Sequence, residues 1–562
     1  MDNTLLIHND NVKYENFTNS IKFSLINSDV DKSISNYIII DEKLKDTDIV
    51  FIKDNLSSNY IELLGLRVAY HLRLSGELKT KRFIPIVILS DLDYFELNKL
   101  SSFSNILFTK NIYLIPNTKK AIEKILRKNF KNLTEDEYEK NFLNLINVQA
   151  PKDYLSHHSI ANEWAIYKWS KILNVKSNKI RINYKKISAM LYFKYLQIKY
   201  DINNKNDNLI MPKNKGKVLL IDDEWNKGWK DILSSILKDN IEFETFKYNF
   251  KDTSNLNLIT QLNYEGLEKQ IKNVDIVILD LRLVEQDHNE NTKIDEYSGI
   301  KILKKIHEIN AGIQVIMLTA TTKSIILEKL YAYNILGYIK KEHPNDNSIT
   351  TIENINKFVN LIDVGLEQSY LKKIFSIQTN ILNILENNPF KKYISDSSIY
   401  ENYLQLIEKN TRYIFDILDS DIDSKFNYAM ISIMISLEAI VKIFLFQKSR
   451  DDYLIFWDNE EAKGIYEHSR LEDKLLKILN YKMSSKAKID LEELIRHRNN
   501  YVHSNKKYKE VNHFHIKKWY GTLEQIILII KNSEYSKYIP KEIKPLSEKK
   551  TVITKSGLRK KV

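Results

Sequence analysis

The feature of this 562-residue sequence that most constrains its fold is an alternation of two patterns between residues 216 and 345. Short apolar runs, such as KVLLI, VDIVIL and IQVIML, have the length and composition of buried strands, and helical stretches separate them. Buried strands that alternate with helices are typical of a parallel sheet. The sequence therefore predicts an α/β domain in the middle of the chain.

Acidic residues follow two of these strands. Asp222 and Asp223 come directly after KVLLI, and Asp280 ends the run VDIVILD. Side chains that leave the carboxyl ends of neighbouring parallel strands converge on one crevice. Because Mg²⁺ prefers oxygen ligands, three carboxylates at this edge predict a magnesium site made by Asp222, Asp223 and Asp280.

Two further strands add other polar groups to the same edge. The run IQVIMLTA ends with Thr319 and Ala320, and LGYIKKE supplies Tyr338 and Lys341. A hydroxyl and an ammonium group beside the acids can hold a phosphoryl group by charge-assisted hydrogen bonds. The edge of this sheet therefore has the groups that phosphoryl transfer needs.

This order of an acid pair, a single acid, a hydroxyl and a lysine resembles the receiver domain of two-component response regulators. The resemblance covers residues 213–346 and implies a five-stranded flavodoxin-like fold, a bound Mg²⁺, and a histidine kinase or another phosphodonor as partner. It also implies roles for individual residues: Asp280 as phosphoacceptor, Asp222 and Asp223 around the metal, Thr319 and Tyr338 as switch pair, and Lys341 as the matching lysine.

Three details qualify this resemblance. Lys340 lies one residue out of register with the matching lysine. The loop VEQDHNENTKIDEYSGI after the phosphoacceptor is longer and more acidic than usual, and Gly299 then restores the expected helix start. The plainer alternative is an α/β domain whose acids are merely solvated, and the agreement of motif with strand pattern favours the receiver.

The first 120 residues repeat the strand pattern in a weaker form. NYIIID, DIVFIKD, IPIVILSD and NIYLIP are strand-like, and YIELLGLRVAYHLRL is helical. We predict a receiver-like α/β domain over residues 1–120 that is degenerate, because only Asp54 stands where a phosphoacceptor belongs and a convincing acid pair and matched lysine are missing. A docking or sensing role without catalysis fits this pattern.

The rest of the chain has helical patterns. His157 and His158 are adjacent, so on a helix they point about 100° apart and suit capping or packing better than one metal. The predicted divisions are a helical connector and linker at 121–212, a second helical connector at 347–399, a helical domain at 400–539 and a flexible basic tail at 540–562.

One motif stands out in the last helical domain. In the run LEELIRHRNNYVHS, Arg498 is followed by the polar Asn499, three further residues and His503. This motif resembles the RNA-cleaving motif of HEPN domains, which are helical bundles of about the length available here. The resemblance implies catalytic Arg498, Asn499 and His503, an RNA substrate, no metal cofactor for cleavage, and a homodimer through the C-terminal helical domain.

The residue types suit that chemistry. Histidine can move a proton at the 2′-hydroxyl or the leaving oxygen, and arginine can offset charge on the phosphorane. On an ideal helix, however, Arg498 and His503 lie about 140° apart. Either the helix ends near Asn499 and Asn500, or two chains combine their motifs. Glu438 lies within an apolar helix, and if it is buried it needs a partner, for which an arginine of the motif is a candidate.

Composition limits the remaining function classes. The chain has no cysteine, which excludes disulfides, thiol nucleophiles and thiolate zinc sites and fits a reducing cytoplasm. The longest apolar run, Tyr428 to Phe446, contains Glu438 and Lys442, so a buried helix is expected rather than a membrane span. A net charge of +12 permits an RNA partner without demonstrating one.

Together these features predict a multidomain α/β plus all-α protein with a flavodoxin-like receiver in the middle. We expect a cytoplasmic signalling effector in which phosphorylation of Asp280 controls a metal-independent HEPN endoribonuclease, in a bacterial stress or antiphage response. The alternative is a non-enzymatic response regulator whose helical bundle binds RNA or a protein partner without cutting. A DNA-binding regulator is less favoured, since no helix-turn-helix pattern follows the receiver.

Overall fold

A computed structural model describes most of the chain. The basic tail predicted at 540–562 and the side chains of His157 and His158 lie outside the described part. The described residues are 3–11, 16–23, 25, 29–59, 62–150, 157–200, 209–250, 257–289, 291–320, 324–344, 350–391, 397–444, 446–447, 452–454, 456–457, 460–461, 465–466, 470–479, 482–503 and 509–533.

The N-terminal domain is built on a parallel five-stranded sheet. Its elements are β1 (Thr4–His8), β2 (Asn19–Lys22), α1 (Val30–Ile34), β3 (Ile49–Lys53), α2 (Leu64–Leu74), β4 (Ile86–Leu89), α3 (Tyr94–Leu100), β5 (Ile112–Ile115), α4 (Lys119–Leu126) and α5 (Glu135–Tyr138). The strand order is β2-β1-β3-β4-β5, and every pairing is parallel. This is the doubly wound order of flavodoxin-like sheets.

Three helices follow and join this domain to the next. They are α6 (His157–Ile172), α7 (Asn178–Ile187) and α8 (Leu191–Lys199). Helix α8 packs on α2, and its first N–H group, at Leu191, donates to the buried carboxylate of Asp31 at 2.9 Å. Helix α8 is therefore part of the packed structure of the N-terminal domain, whereas α6 packs on α9 and α14 of the next domain.

The middle domain has the same sheet topology. Its elements are β6 (Gly216–Ile221), α9 (Trp229–Leu237), β7 (Ile241–Thr245), α10 (Leu258–Tyr264), α11 (Leu267–Lys272), β8 (Ile276–Leu279), α12 (Ser298–Asn310), β9 (Gln314–Thr319), α13 (Ser324–Tyr331), β10 (Gly337–Lys340) and α14 (Thr351–Glu367). The order β10-β9-β8-β6-β7 repeats the arrangement of the first sheet, again with parallel pairing throughout. The two α/β sheets predicted from the strand patterns are both present.

The central strand β8 shows why these runs are apolar at every position. Val277 and Leu279 belong to the core on one face of the sheet, and Ile276 and Ile278 to the core on the other. Successive side chains of a strand point to opposite faces, and helices cover both faces here. A continuous apolar run, rather than an alternating one, is the result.

The C-terminal region is a helical bundle. Helix α15 packs on α16 and α20, and α17 packs on α16, α18, α19 and α20 around one hydrophobic core. The helices are α15 (Tyr370–Glu386), α16 (Ser397–Asp419), α17 (Lys425–Phe444), α18 (Leu471–Ile478), α19 (Ser485–Val502) and α20 (His513–Asn532).

The helical region expected after about residue 350 is present but is interrupted between α17 and α18. Short antiparallel strands lie there, namely β11 (Phe446–Gln447), β12 (Asp452–Leu454), β13 (Phe456–Trp457), β14 (Glu460–Glu461) and β15 (Ile465–Tyr466). Four of the five contain aromatic residues, which favour strands. Strands of two or three residues are too short to show the alternation of apolar and polar residues by which a strand is recognised in a sequence.

Helix α17 is the one described helix that is long and apolar enough to cross a membrane, judged by length and composition. Of its most apolar window, 61% is buried inside the protein. Its side chains form part of the bundle core, which agrees with the buried helix expected from Glu438 and Lys442.

Candidate functional site

The strand register of the middle domain brings its acidic residues together. Ile221 at the end of β6 pairs with Leu279 at the end of β8, so the residues that follow, Asp222 and Asp280, leave adjacent strands at the same level. The backbone bond from Asp280 N–H to the Ile221 carbonyl, 2.9 Å long, holds the two strand ends together. Their side chains therefore share the crevice above the sheet, as the sequence predicted.

Lys341 binds both of these carboxylates. Its Nζ donates to Asp222 Oδ2 at 2.9 Å and to Asp280 Oδ2 at 2.6 Å, and all three side chains are fully buried. Burial alone would lower the pKa of Lys341, but the facing carboxylates raise it above its ordinary value. A buried ammonium held between two carboxylates stays charged and fixes their positions.

Asp223 completes the group of acids. One carboxylate oxygen from each of Asp222, Asp223 and Asp280 lies within 4.8 Å of the other two. The Oδ1 atom of Asp223 is buried without a hydrogen-bond partner. Burial, and then repulsion from Asp222 and Asp280, raises the pKa of Asp223 to about 9. Crowded carboxylates with an unsatisfied oxygen fit a divalent cation, and Mg²⁺ bound there would offset their repulsion.

The predicted switch residues lie on the adjacent strands β9 and β10. Thr319 is the last residue of β9, is 2% exposed, and its carbonyl accepts from Lys341 N–H at 2.7 Å. Tyr338 is half-buried on β10, with its ring 5.9 Å from that of Tyr331 on α13 and 4.5 Å from Lys357 Nζ on α14. The structure therefore places Thr319 beside Lys341 and Tyr338 among the helices that cover the sheet.

The long loop after Asp280 is organised by a buried acid. The carboxylate of Asp287 is fully buried and accepts from the N–H groups of Leu283 at 3.0 Å, Val284 at 3.3 Å and Ser298 at 3.1 Å. These bonds tie both ends of the loop together next to the start of α12. Asp287 was not singled out from the sequence, where it is one acid among several.

Glycine is required at the start of α12. A Cβ on Gly299 would lie 2.3 Å from the carbonyl oxygen of Asp280. The N-terminal domain has the same close approach, since a Cβ on Gly65 would lie 2.1 Å from the carbonyl oxygen of Lys53, directly before Asp54. By this contact Lys53 occupies the place of Asp280, and Asp54 lies one residue further along the chain: the Gly65 N–H donates to the Asp54 carbonyl as the Gly299 N–H donates to the Leu281 carbonyl. The expectation that Asp54 stands at the phosphoacceptor position was therefore wrong by one residue.

The surroundings of Asp54 differ from those of Asp280. Asp54 Oδ2 accepts from Ser90 Oγ at 2.5 Å, and the nearby Lys53 pairs with Asp10. Residues 116–118, which follow β5, include no lysine. Among the described residues this crevice lacks both the three-acid group and the buried lysine of the middle domain.

Comparison with known proteins decides the class of the first domain. Residues 1–115 match the family model of the inactive receiver domain. This match confirms the predicted receiver-like domain and supports a signalling-related function. Comparison with curated proteins gives no match for the chain.

The match to the inactive receiver domain ends before the middle domain begins. Because the matched family is described as inactive, the match argues against phosphorylation at Asp54. It does not extend to the crevice around Asp280. The degenerate site that the sequence predicted there agrees with the family description.

The third predicted site lies at the end of α19. Arg498 is half-buried, its Nη2 lies 3.7 Å from Glu438 Oε1 on α17, and its Nη1 donates to Asn499 Oδ1 at 3.1 Å. Asn499 and His503 are exposed. The expected pairing of Glu438 with a motif arginine is present, although the Glu438 side chain is 43% exposed rather than buried.

Of the two geometries considered for this motif, the one in which the helix ends near Asn499 and Asn500 was wrong. Helix α19 continues to Val502, and His503 is its C-cap, with its N–H bonded to the Asn499 carbonyl at 3.1 Å. Residues in a continuous helix keep the angular offset of about 140° between Arg498 and His503. The alternative in which two chains combine their motifs stays a prediction.

Two groups of residues beside these sites were not predicted from the sequence. Trp229 lies with its ring 5.6 Å from Lys341 Nζ, in a helix that carries no motif. Glu493, His497 and His515 have ligand atoms within 4.8 Å of one another on α19 and α20. The spacing of four between Glu493 and His497 was a signal for the second group, because such residues share one helix face.

Proposed function

We propose that the chain is a signalling effector whose middle domain is a phosphoacceptor receiver. The observation that carries this proposal is the buried group in which Lys341 Nζ contacts Asp222 at 2.9 Å and Asp280 at 2.6 Å, with Asp223 beside them. A purely structural ion pair needs one carboxylate for one ammonium. Three acids with one lysine leave negative charge that a metal ion would neutralise.

In this proposal a carboxylate oxygen of Asp280 attacks the phosphorus of a phosphodonor. The new bond joins Asp280 to phosphorus, while the bond from phosphorus to the donor's leaving group breaks. Mg²⁺ held by Asp222, Asp223 and Asp280 would reduce repulsion between the attacking and transferred anions. Lys341 then moves from pairing with Asp280 to contacting the phosphoryl oxygens, as a charged donor can.

Phosphate incorporation from acetyl phosphate tests this step. We expect the full chain to incorporate phosphate only with Mg²⁺, and Asp280→Asn to abolish labelling. The matched control is Asp54→Asn, because Asp54 is the acid that directly follows β3 in the inactive receiver domain. Labelling that survives Asp280→Asn, or that is lost in Asp54→Asn alone, would contradict the assignment.

For the output we propose a metal-independent ribonuclease in the C-terminal bundle. His503 would move a proton at the 2′-hydroxyl or the leaving oxygen, and Arg498, positioned by Glu438 and Asn499, would offset charge on the phosphorane. The attacking group is the substrate's own hydroxyl, so the product should carry a 2′,3′-cyclic phosphate and DNA should stay intact.

Cleavage of RNA by the purified chain, before and after phosphorylation, tests the output. Phosphorylation must be completed before EDTA is added, because the receiver chemistry itself needs metal. We expect cleavage to persist in EDTA, and His503→Ala to lower the rate by about 10²–10⁴-fold, the usual contribution of one general acid–base. His513→Ala is the matched control, because it removes an imidazole from the neighbouring helix α20 and should leave the cleavage rate close to that of the wild type.

A second function is favoured by the geometry of α19. Because the helix continues to Val502, Arg498 and His503 do not share one face within a chain. A bundle that binds RNA or a protein without cutting would need no such convergence. Retained RNA binding with no cleavage in either phosphorylation state would select this non-enzymatic regulator.

A further inference from the structure

The bundle contains a group of possible metal ligands that the proposed phosphotransfer and cleavage do not use. Glu493 and His497 lie one turn apart on α19, and His515 lies on α20 facing them. The imidazole rings of His497 and His515 are 5.3 Å apart, and both pack against the ring of the buried Trp519, at 5.2 and 5.3 Å. Two helices thus hold three ligands in one place.

The hydrogen bond of His497 prepares it for a metal. Its Nδ1 lies 3.0 Å from the carbonyl oxygen of Glu493, which can only accept, so Nδ1 carries the proton. The lone pair is then on Nε2. Metal-binding histidines usually donate their other ring nitrogen to a carbonyl or carboxylate in this way, which fixes the tautomer and the ring orientation.

His515 has a weaker competing bond. The N–H of Asn512 donates to its Nδ1 over 3.3 Å, at the start of α20. Asn512 is exposed, so water can replace this bond when the imidazole turns to a metal.

The surrounding charges favour a cation. Lys518 lies between Glu493 and Asp490, with Nζ 2.9 Å from Asp490 Oδ1, so it keeps a carboxylate partner if Glu493 turns to a metal. Two carboxylates against one ammonium leave a net negative charge beside the two imidazoles. This balance is electrostatically complementary to a divalent metal ion.

We propose that Glu493, His497 and His515 bind one Zn²⁺ ion. Two imidazoles and a carboxylate are ligands that Zn²⁺ accepts, with the fourth position taken by water. The ion would join α19 to α20 at the residue before Arg498. The ion would stabilise the packing of these two helices without taking part in cleavage, so its removal by EDTA is compatible with a metal-independent motif. The proposal does not rest on whether that motif cuts RNA.

Zinc binding by the metal-free full chain tests this proposal. Equilibrium dialysis with ZnCl₂ is performed in excess Mg²⁺, so that the acids of the middle domain are already occupied. We expect one Zn²⁺ per wild-type chain. Glu493→Gln, His497→Gln and His515→Gln should each weaken binding by more than about 10-fold, since even losing a group that only orients a ligand costs about 10–100-fold.

Two control variants separate the site from its surroundings. Glu492→Gln and His503→Gln remove the same functional groups from α19 without touching the three ligands, so both should bind Zn²⁺ like the wild type. Circular dichroism of the zinc-free variants identifies any that fail to fold. If the histidine variants fail, the comparison of wild type with Glu493→Gln, which keeps the size of the side chain, tests the site. The proposal is overturned if wild type binds no more Zn²⁺ than Glu493→Gln, or if the controls lose as much affinity.

Discussion

Lys341 is the residue on which the candidate receiver site depends most. Its ammonium is fully buried and is shared by Asp222 and Asp280. Removing one member of a buried ionic group leaves the others desolvated and uncompensated, which typically costs about 3–5 kcal/mol. The stability of the middle domain and its chemistry therefore rest on the same side chain.

We predict that Lys341→Met destabilises the middle domain by about 3–5 kcal/mol in the absence of Mg²⁺ and by less in its presence, because a bound cation replaces the lost charge. Urea unfolding with and without Mg²⁺ measures the difference. Lys340→Met is the matched control, since Lys340 is half-buried on the strand and should cost little. Equal losses for the two variants would show that the buried lysine has no special role.

A buried acid and histidine in the N-terminal domain give a prediction about pH. Asp31 Oδ1 lies 2.8 Å from both His71 Nε2 and Arg67 Nε. Burial lowers the pKa of His71 to about 4, against the raising effect of Asp31. Burial would raise the pKa of Asp31, but the hydrogen bonds and charges of His71 and Arg67 lower it.

The folded pKa of His71 lies below its unfolded value of about 6.5, so the unfolded chain takes up the proton first as the pH falls. Stability is therefore lost between about pH 6.5 and pH 4, by up to about 3 kcal/mol from this residue. His71→Gln should flatten that loss in urea unfolding measured across the range, while His503→Gln should not. An unchanged pH dependence in His71→Gln would contradict the argument.

Helix α6 of the connector is hydrogen-bonded to the middle domain. Trp229 Nε1 on α9 donates to Asn162 Oδ1 at 2.5 Å, and Trp169 Nε1 on α6 donates to Glu342 Oε1 at 3.1 Å. Glu342 directly follows Lys341. Helix α6 is thus bonded both to the helix beside the acids and to the strand end that carries the lysine.

We predict that Asn162→Ala destabilises the middle domain by about 1–3 kcal/mol, because it leaves the buried Trp229 N–H without an acceptor. In a Trp229→Phe background the same change should cost much less, since the donor is gone. The double-mutant cycle, measured by circular dichroism in urea, isolates this bond. A cost that is equal in both backgrounds would assign the loss to packing.

The strand ends of the middle domain were predictable because motif and strand pattern coincide. Asp222, Asp280 and Lys341 each follow an apolar run, and parallel pairing forces such positions together. The bond between Asn162 and Trp229 was not predictable. The two residues are 67 apart in sequence, and helical periodicity shows which face is buried without showing which helix will cover it.

At the scale of the whole molecule, one chain carries two sheets of the same topology with different crevices, followed by a helical bundle. The middle domain contacts that bundle directly. Asn334, before β10, donates to Asp419 at the end of α16 at 3.0 Å, and Lys372 of α15 donates to the Val274 carbonyl at 2.9 Å. Val274 and Asn334 precede β8 and β10, so the bundle meets this sheet at the amino ends of its strands, at the edge opposite the acids.

The orientation of Arg498 and His503 on α19 leads to a prediction about the oligomeric state. They lie about 140° apart on a continuous helix, so one chain does not bring them together, whereas a pair of chains could join Arg498 of one copy with His503 of the other. We expect the full chain to be at least a dimer through the bundle. Arg498→Ala and His503→Ala proteins should each be inactive alone, and their mixed dimer should regain RNA cleavage, because one of its two composite sites is intact.

Co-expression of the two variants under different affinity tags, followed by purification of the mixed dimer, provides the measurement. The control is a dimer in which both copies carry both substitutions, which has no intact site. Restored cleavage requires the Arg498 and His503 groups to meet across two chains, since neither chain has both. A monomeric mass in both phosphorylation states, or a mixed dimer as inactive as the control while wild type cuts RNA, would rule out the shared site.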